Sequence, residues 1–436
     1  MSLKLYKIGA TAALLISNSV ALALPFSSFD TRSMAMGGAG VAVGGADAAP
    51  LFNPALLSVT KEEDHFAIIL PTIGVRVSDP DKLRDSIDNF DSGNYINNLQ
   101  TAINQLNTDI NNNNAAAITT DSQNVSTNLN KMNAQLATLS NKPITAEAGL
   151  ATVVAMPSKK LGAAFYATGT LTAGGLFSYT DGSTLSALAV DAGNCSSVNP
   201  ASTACTNLKN FNTNTLTSGI HFKGVQLVEA GFALSHEFKI YDHGVSFGIT
   251  PKIVKSQLFD TVVNINDSNK SNISIADNKA EYTFANFDLG AAKNYDNGWR
   301  TGFVIKNVIP QTLDFKKAPT PGATPVATGE TLKLMPQARI GVSHANSWST
   351  VALDVDLTRN DPAGFENQTQ YIALGGELNA WDWAQLRAGY RVDMVDGARS
   401  VASVGLGISP FGVHADIAVA GNATDIGASF QLGFHF

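Results

Sequence analysis

A chain of 436 residues with only 15% charged residues, against roughly 25% in soluble globular proteins, keeps charge off much of its surface. A net charge of −7 and an isoelectric point near 5.5 exclude a nucleic-acid surface built on clustered Lys and Arg, and the sequence has no basic stripe. Past the N-terminus no apolar run approaches the roughly 20 residues of a helical span, whereas a mean hydropathy of +0.04 suits strands that alternate lipid-facing with lumen-facing residues.

Lys4 and Lys7 precede an apolar stretch from Ile8 to Leu22, interrupted at Ser17, Asn18 and Ser19, and Ala21-Leu22-Ala23 supplies the small residues a signal peptidase needs. Residues 1–23 therefore read as a cleaved signal peptide, and no Cys follows to mark a lipoprotein. The next segment, 24–62, does not alternate. Its run Met34-Ala35-Met36-Gly37-Gly38-Ala39-Gly40 is built of small residues that permit close backbone approach, the composition of a plug threaded through a crowded lumen. With no preceding strand and no following Gly-Lys-Ser/Thr, the glycines do not fit a phosphate loop.

Residues 63–436 read as an all-β membrane barrel. Period-2 alternation gives fourteen antiparallel strands, near 64–77, 144–156, 161–173, 223–239, 244–263, 276–293, 299–315, 330–345, 348–358, 368–380, 384–394, 400–408, 412–420 and 425–436. The clearest runs from Val351 to Leu357, with branched aliphatics on one face and Asp354 and Asp356 on the other. The same alternation turns Arg339, Glu377, Arg387, Arg391 and Asp393 inward, so four consecutive strands carry opposite charges within cross-strand reach. Charge balance in a wet lumen is the simplest role for them, and a ligand track is the alternative.

Between the first two strands, residues 78–143 change period. Ile96, Leu99, Ile103, Leu106 and Ile110, then Val125, Leu129, Met132, Leu136 and Leu139, recur every three or four residues, which predicts a two-helix hairpin broken at Asn111 to Asn114. It serves as a lid or partner surface, or as a self-packed excursion. Cys195 and Cys205, the two cysteines of the chain, lie in a Ser/Asn/Thr-rich stretch and are expected to form a local disulfide in an oxidising compartment.

Connections alternate in length. Tight turns such as Pro157-Ser158-Lys159-Lys160 and Tyr295-Asp296-Asn297-Gly298 alternate with mostly longer loops, which predicts periplasmic turns, external loops and, for an even strand count, both termini in the periplasm. Trp299, Trp348, Trp381 and Trp383 all fall at short-turn ends, with Tyr241, Tyr295 and Phe411 beside other short turns, as an interfacial aromatic girdle would. The final strand alternates Ile426, Ala428, Phe430, Leu432, Phe434 and Phe436 with small or polar residues. It is similar to the C-terminal signal of outer-membrane barrels, which implies that Phe434 and Phe436 are presented to the barrel assembly machinery. The seven His residues are scattered, and no nucleophile–base pair or metal-ligand cluster stands out, so no enzyme activity, cofactor or metal is expected.

Arg32-Ser33-Met34-Ala35-Met36-Gly37-Gly38-Ala39-Gly40, followed by Asn53-Pro54-Ala55-Leu56-Leu57 just before the first strand, resembles the N-terminal signature of FadL-type long-chain fatty acid transporters. Almost the whole chain resembles exported proteins labelled conjugal transfer protein TraF. The resemblance implies a fourteen-stranded barrel with a luminal hatch whose residues include Met34, Met36, Gly37, Gly38, Gly40, Asn53, Pro54 and Ala55. Two functions follow as expectations. One is a plugged channel in outer-membrane lipid for small hydrophobic molecules. The other is a conjugation component that binds a protein partner through its external helical hairpin.

Overall fold

A computed structural model describes residues 29–59, 66–241, 243–265, 278–318, 324–380 and 383–435. The signal-peptide residues 1–23, Trp381 and Phe436 lie outside the described residues. Among those described, fourteen strands close a barrel in which every neighbouring pair is antiparallel. They are β1 (Ala67–Ser78), β2 (Pro143–Met156), β3 (Gly162–Ser178), β4 (Gly219–Ile240), β5 (His243–Asn264), β6 (Lys279–Asn294), β7 (Trp299–Lys306), β10 (Gln337–Ala345), β11 (Ser349–Asp356), β12 (Tyr371–Ala380), β13 (Ala384–Asp393), β14 (Val401–Ile408), β15 (Val413–Gly421) and β16 (Asp425–His435). β1 pairs with β16 from Ala67↔His435 to Ser78↔Asp425, which closes the wall.

Alternation decides which face each residue takes. On β11, Val351 and Leu353 are exposed while Ala352, Asp354 and Asp356 are buried. Ile73, Val75, Leu150, Phe165, Phe232, Ile253, Leu386, Leu406, Ile417 and Phe430 continue this apolar outer surface around the wall. A soluble monomer does not carry apolar area on that scale, so lipid is the solvent it suits. No helix among the described residues is long and apolar enough to cross a membrane. Trp299, Trp348, Trp383, Tyr241, Tyr295 and Phe411 are exposed at the short-turn end.

Two strands depart from the sequence pattern. The continuous segment expected over 299–315 stops at Lys306, and that over 330–345 begins its barrel portion only at Gln337. Asn307 takes a left-handed φ of 54°, Pro310 and Pro336 cannot donate to a ladder, and the intervening chain folds away as a separate hairpin of β8 (Gln311–Lys317) and β9 (Val326–Leu334). Asn286 and Asp288 of β6 hold the departure point: Asn307 N–H donates to Asp288 Oδ1 at 2.8 Å, and the Asn286 amide bonds both the N–H and the carbonyl of Ile309. Leu313, Phe315, Leu332 and Leu334 then pack against Val225, Leu227, Val254 and Leu258 of the wall. β6 pairs with β7 only from Leu289 onward, so its other half has a partner strand on the β5 side alone.

The insertion after β1 holds three helices where the sequence pattern predicts two: α3 (Leu83–Ser92), α4 (Tyr95–Asn111) and α5 (Ala115–Leu139), following the short plug helices α1 (Thr31–Ala35) and α2 (Ala49–Phe52). α3 escapes the heptad reading because its apolar contacts, Leu83, Ile87 and Phe90, span too few turns to show a repeat. Leu99, Ile103, Leu106, Val125, Leu129, Met132 and Leu136 are all buried, and α6 (Gly182–Asn194) and α7 (Thr203–Asn210) of the next loop complete their cluster. The Cys195–Cys205 disulfide joins the end of α6 to α7 inside this cap.

Candidate functional site: the plugged lumen

Residues 29–59 lie within the barrel and are buried or half-buried throughout. Asp30 caps α1 by accepting the Ser33 N–H at 2.7 Å, and its burial pushes its carboxyl up to about 6. After α1 the chain turns through Gly37 and Gly38 at φ of 72° and 95°, which L side chains rarely adopt. The wall then supplies partners for the exposed plug backbone. Gly37 N–H donates to Ser403 Oγ at 3.0 Å, Ser403 Oγ donates to Ala35 O at 3.0 Å, and Ser343 Oγ donates to Ala42 O at 2.8 Å. Asp354 Oδ2 accepts both Gly40 N–H and Val41 N–H, at 2.8 and 2.9 Å.

The Asn53-Pro54-Ala55 turn docks on β5, β6 and β7. Asn53 is fully buried; its amide donates to Val41 O at 3.0 Å and Ala291 O at 3.1 Å, while its Oδ1 accepts the Ala55 N–H. Pro54 opens the single-turn helix Pro54–Ser58, where its missing N–H costs nothing. This fit depends on wall residues that have no side chain. A Cβ on Gly290 would sit 2.1 Å from Asn53 Oδ1, and one on Gly248 would sit 2.5 Å from Ala55 N. The same holds on other strands: Gly375 faces Met36 at 2.4 Å, Gly389 faces Gly37 N at 2.1 Å, Gly302 faces Val41 O at 2.3 Å and Gly405 faces Ala35 at 2.5 Å. Inward glycines from separate strands thus form the seat of the plug. Alternation puts Gly389 on the inner face with Arg387 and Arg391, but nothing local marks it or the other inward glycines as a seat.

The seven charges expected in the lumen all lie on the inner face, and most are drawn into bonds with each other or with the plug. Arg339 pairs with Asp356 at 2.5 Å across β10 and β11 and donates to Gly38 O. Glu377 receives Arg32 of the plug through two bonds of 2.8 Å and Arg387 at 2.6 Å, and Arg387 also contacts Asp416. Arg391 lies 4.4 Å from the centre of the Tyr371 ring, and Asp393 accepts N–H groups at the β12 and β13 ends. Met36 is fully buried on the wall, whereas Met34 faces a cavity shared with Phe29, Arg76 and Arg391. Phe434 is half-buried and pairs with Ile68 and Val413.

Three further polar groupings escaped the sequence reading. Arg76 meets Glu147 at 3.3 Å, Asp425 at 2.5 Å and Glu366 at 3.6 Å. Lys252, its side chain fully buried, lies between Glu229 at 3.2 Å and Asp288 at 3.1 Å. Asp47 of the plug meets His414 and His435 at the short-turn end. Arg76, Glu147, Asp425, Lys252, Glu229 and Asp288 were open to the alternation argument, since each lies at an inward position of its strand, whereas Glu366 comes from the loop before β12; the third grouping joins residues far apart in sequence. Beside the plug lie two cavities of about 90 Å³ each, one chiefly against β1 and β12–β16, the other chiefly against β2–β5, and a third of about 400 Å³ bordered by Asp47, His414 and His435.

A closed wall of fourteen strands, apolar outside and charged inside, with its own N-terminal segment seated in the lumen, is a plugged β-barrel of the membrane type. Residues 50–356 match the family model described as F plasmid transfer operon, TraF, protein. The chain belongs to that family. No curated protein sequence matches it. Among solved structures, it is similar to the TodX deltaS2S3 mutant monoaromatic hydrocarbon channel, with a TM-score of 0.51 at 11% identity over 93% of this chain and 98% of that one. It also aligns with the Ralstonia pickettii toluene transporter TbuX (TM-score 0.49, 11% identity, 96% and 99% covered) and the P. putida toluene transporter TodX (0.47, 12%, 96% and 99%). At these identities what is shared is the fold.

Proposed function

We propose that this chain is a plugged outer-membrane channel for small hydrophobic molecules, with both termini in the periplasm and the helical cap outside. The observation that carries this is the interrupted wall. Where β7 stops, half of β6 lacks a strand partner on one side, and beside this gap the β8–β9 hairpin buries Leu313, Phe315, Leu332 and Leu334 against Val225, Leu227, Val254 and Leu258 of the wall. An apolar solute would reach lipid there by loosening this apolar packing beside the unpaired half of β6. Short turns with exposed aromatics at one end and long loops at the other support the orientation.

The shared fold with a monoaromatic hydrocarbon channel sets the solute class to test. Cavities of about 90 Å³ are smaller than the roughly 150 Å³ that houses benzene in a protein core, so the plug must shift before a monoaromatic passes. Cells that lack other hydrocarbon channels and express this chain should take up labelled toluene several-fold faster, with no change for a polar sugar. Equal toluene uptake with and without the chain would refute the channel.

The family description favours a second role, as an envelope component of conjugation acting through a partner at the cap. The apolar stripe of α4 and α5 is spent on the cap's own core, so such a partner would meet an amide-rich polar surface instead. Removing the cap helices should then lower mating frequency without changing barrel assembly, and unchanged mating would exclude this role.

A further inference from the structure

We propose that Asp47, His414 and His435 form a binding site for a divalent first-row transition metal, zinc or a close relative, which clips the plug to the last two strands. Asp47 comes from the plug, His414 from β15 and His435 from the end of β16, so one ion would join three separate segments.

The donor atoms are already gathered. Asp47 Oδ2 lies 3.2 Å from His435 Nε2 and 3.9 Å from His414 Nε2, and one ligand atom from each residue falls within 4.8 Å of the others. An ion with bonds of about 2.0–2.1 Å in a tetrahedral arrangement holds its ligands about 3.3 Å apart, so sub-ångström movements of the two imidazoles complete the site. Two imidazoles and a carboxylate are borderline ligands that suit zinc and its neighbours better than calcium or magnesium.

The surroundings look built for a ligand set. The other carboxylate oxygen, Asp47 Oδ1, accepts the Ala48 N–H at 2.9 Å, which leaves Oδ2 aimed at the rings. The ring of His414 occupies the space where a Cβ on Gly433 would stand, 2.1 Å from Cε1, so the neighbouring strand makes room for the imidazole. His414 is buried, and its Nε2, the atom turned toward Asp47, has only the Gln431 amide at 3.5 Å as a hydrogen-bond partner among the described residues. Protein groups alone serve that imidazole poorly. The cluster borders a cavity of about 400 Å³, which gives an ion a route in and room for water as a fourth ligand. Arg32 and Arg387, the nearby cations, are engaged by Glu377 and Asp416.

A metal that binds the docked plug and not the released one favours docking by mass action; at free metal 100 times its Kd, the released fraction falls about 100-fold. The site would therefore act as a latch at the mouth of the barrel.

The test uses the mature full chain without a polyhistidine tag, stripped with chelator and folded in detergent. Titration with Co²⁺, followed by visible absorption, and with Zn²⁺, followed by calorimetry, should show one equivalent bound. Asp47→Asn and His414→Gln should each weaken binding at least tenfold. Asp47→Asn leaves every strand intact, so it remains informative if the histidine variant assembles poorly. Zn²⁺ should also reduce spontaneous openings of the parent in planar bilayers and leave those of Asp47→Asn unchanged. The site is overturned by absence of saturable one-to-one binding, or by binding that survives Asp47→Asn undiminished. Binding without any change in openings would overturn the latch.

Discussion

A methyl group on Gly375 should unseat the plug, while one on its neighbour Gly376 should do nothing. On Gly375 the added Cβ would lie 2.4 Å from both Cβ and O of Met36, where 3.4 Å is the start of ordinary contact, so the plug must move by about 1 Å. It has nowhere to go. Met36 is fully buried, and Gly37 is itself packed against the backbone of Leu374 and Tyr390. Overpacking of this kind costs about 1–3 kcal/mol, which converts to a roughly 5- to 150-fold rise in the released fraction of the plug. Gly376 meets only Thr350 O, at 4.0 Å. Opening frequency in planar bilayers reads the difference: Gly375→Ala should open at least fivefold more often than the parent, with Gly376→Ala indistinguishable from it. Equal frequencies for Gly375→Ala and the parent, in correctly folded barrels, would refute the glycine seat.

Asp354→Leu removes the acceptor for Gly40 N–H and Val41 N–H and should loosen the plug by about 1–3 kcal/mol, measured as faster proteolysis of the N-terminal segment in folded barrels. Burial raises the Asp30 carboxyl to about 6, so its protonation favours docking: this contribution is complete below the unfolded value near 3.8 and lost as pH rises through about 6. Openings should accordingly grow more frequent from pH 4.5 to 7 in the parent, and Asp30→Asn should flatten that dependence. Replacing Cys195 and Cys205 by Ser should lower the unfolding temperature of the cap while the heat-modifiable gel mobility of the barrel stays as in the parent.

Much of the wall was legible because lipid and lumen impose a strict period of two. Val351-Ala352-Leu353-Asp354 declares both faces by itself, and the four strands that carry Arg339, Asp354, Glu377 and Arg387 could be assigned an inner face without any contact map. The break at Asn307 was not legible, since Thr312-Leu313-Asp314-Phe315 alternates as well in a hairpin as in a wall, and only Pro310 and Pro336 hint at the interruption. Small residues marked the plug segment, but its seat comprises single glycines on many strands, each unremarkable alone and brought together by barrel closure. Asp47, His414 and His435 illustrate the same limit. Some 370 residues separate the first from the second, and no local spacing can report a meeting made by the plug and the closing strand.

Whether the N-terminal segment closes a membrane barrel from inside is read from single-channel conductance of the purified protein with and without residues 29–49. Fourteen strands enclose a lumen wide enough for water unless something fills it. The intact chain should conduct ions poorly, and the deletion, with Asn53-Pro54-Ala55 and every strand retained, should show large and sustained openings. A deletion that assembles normally yet conducts no better than the parent would show that the N-terminal segment does not close the lumen.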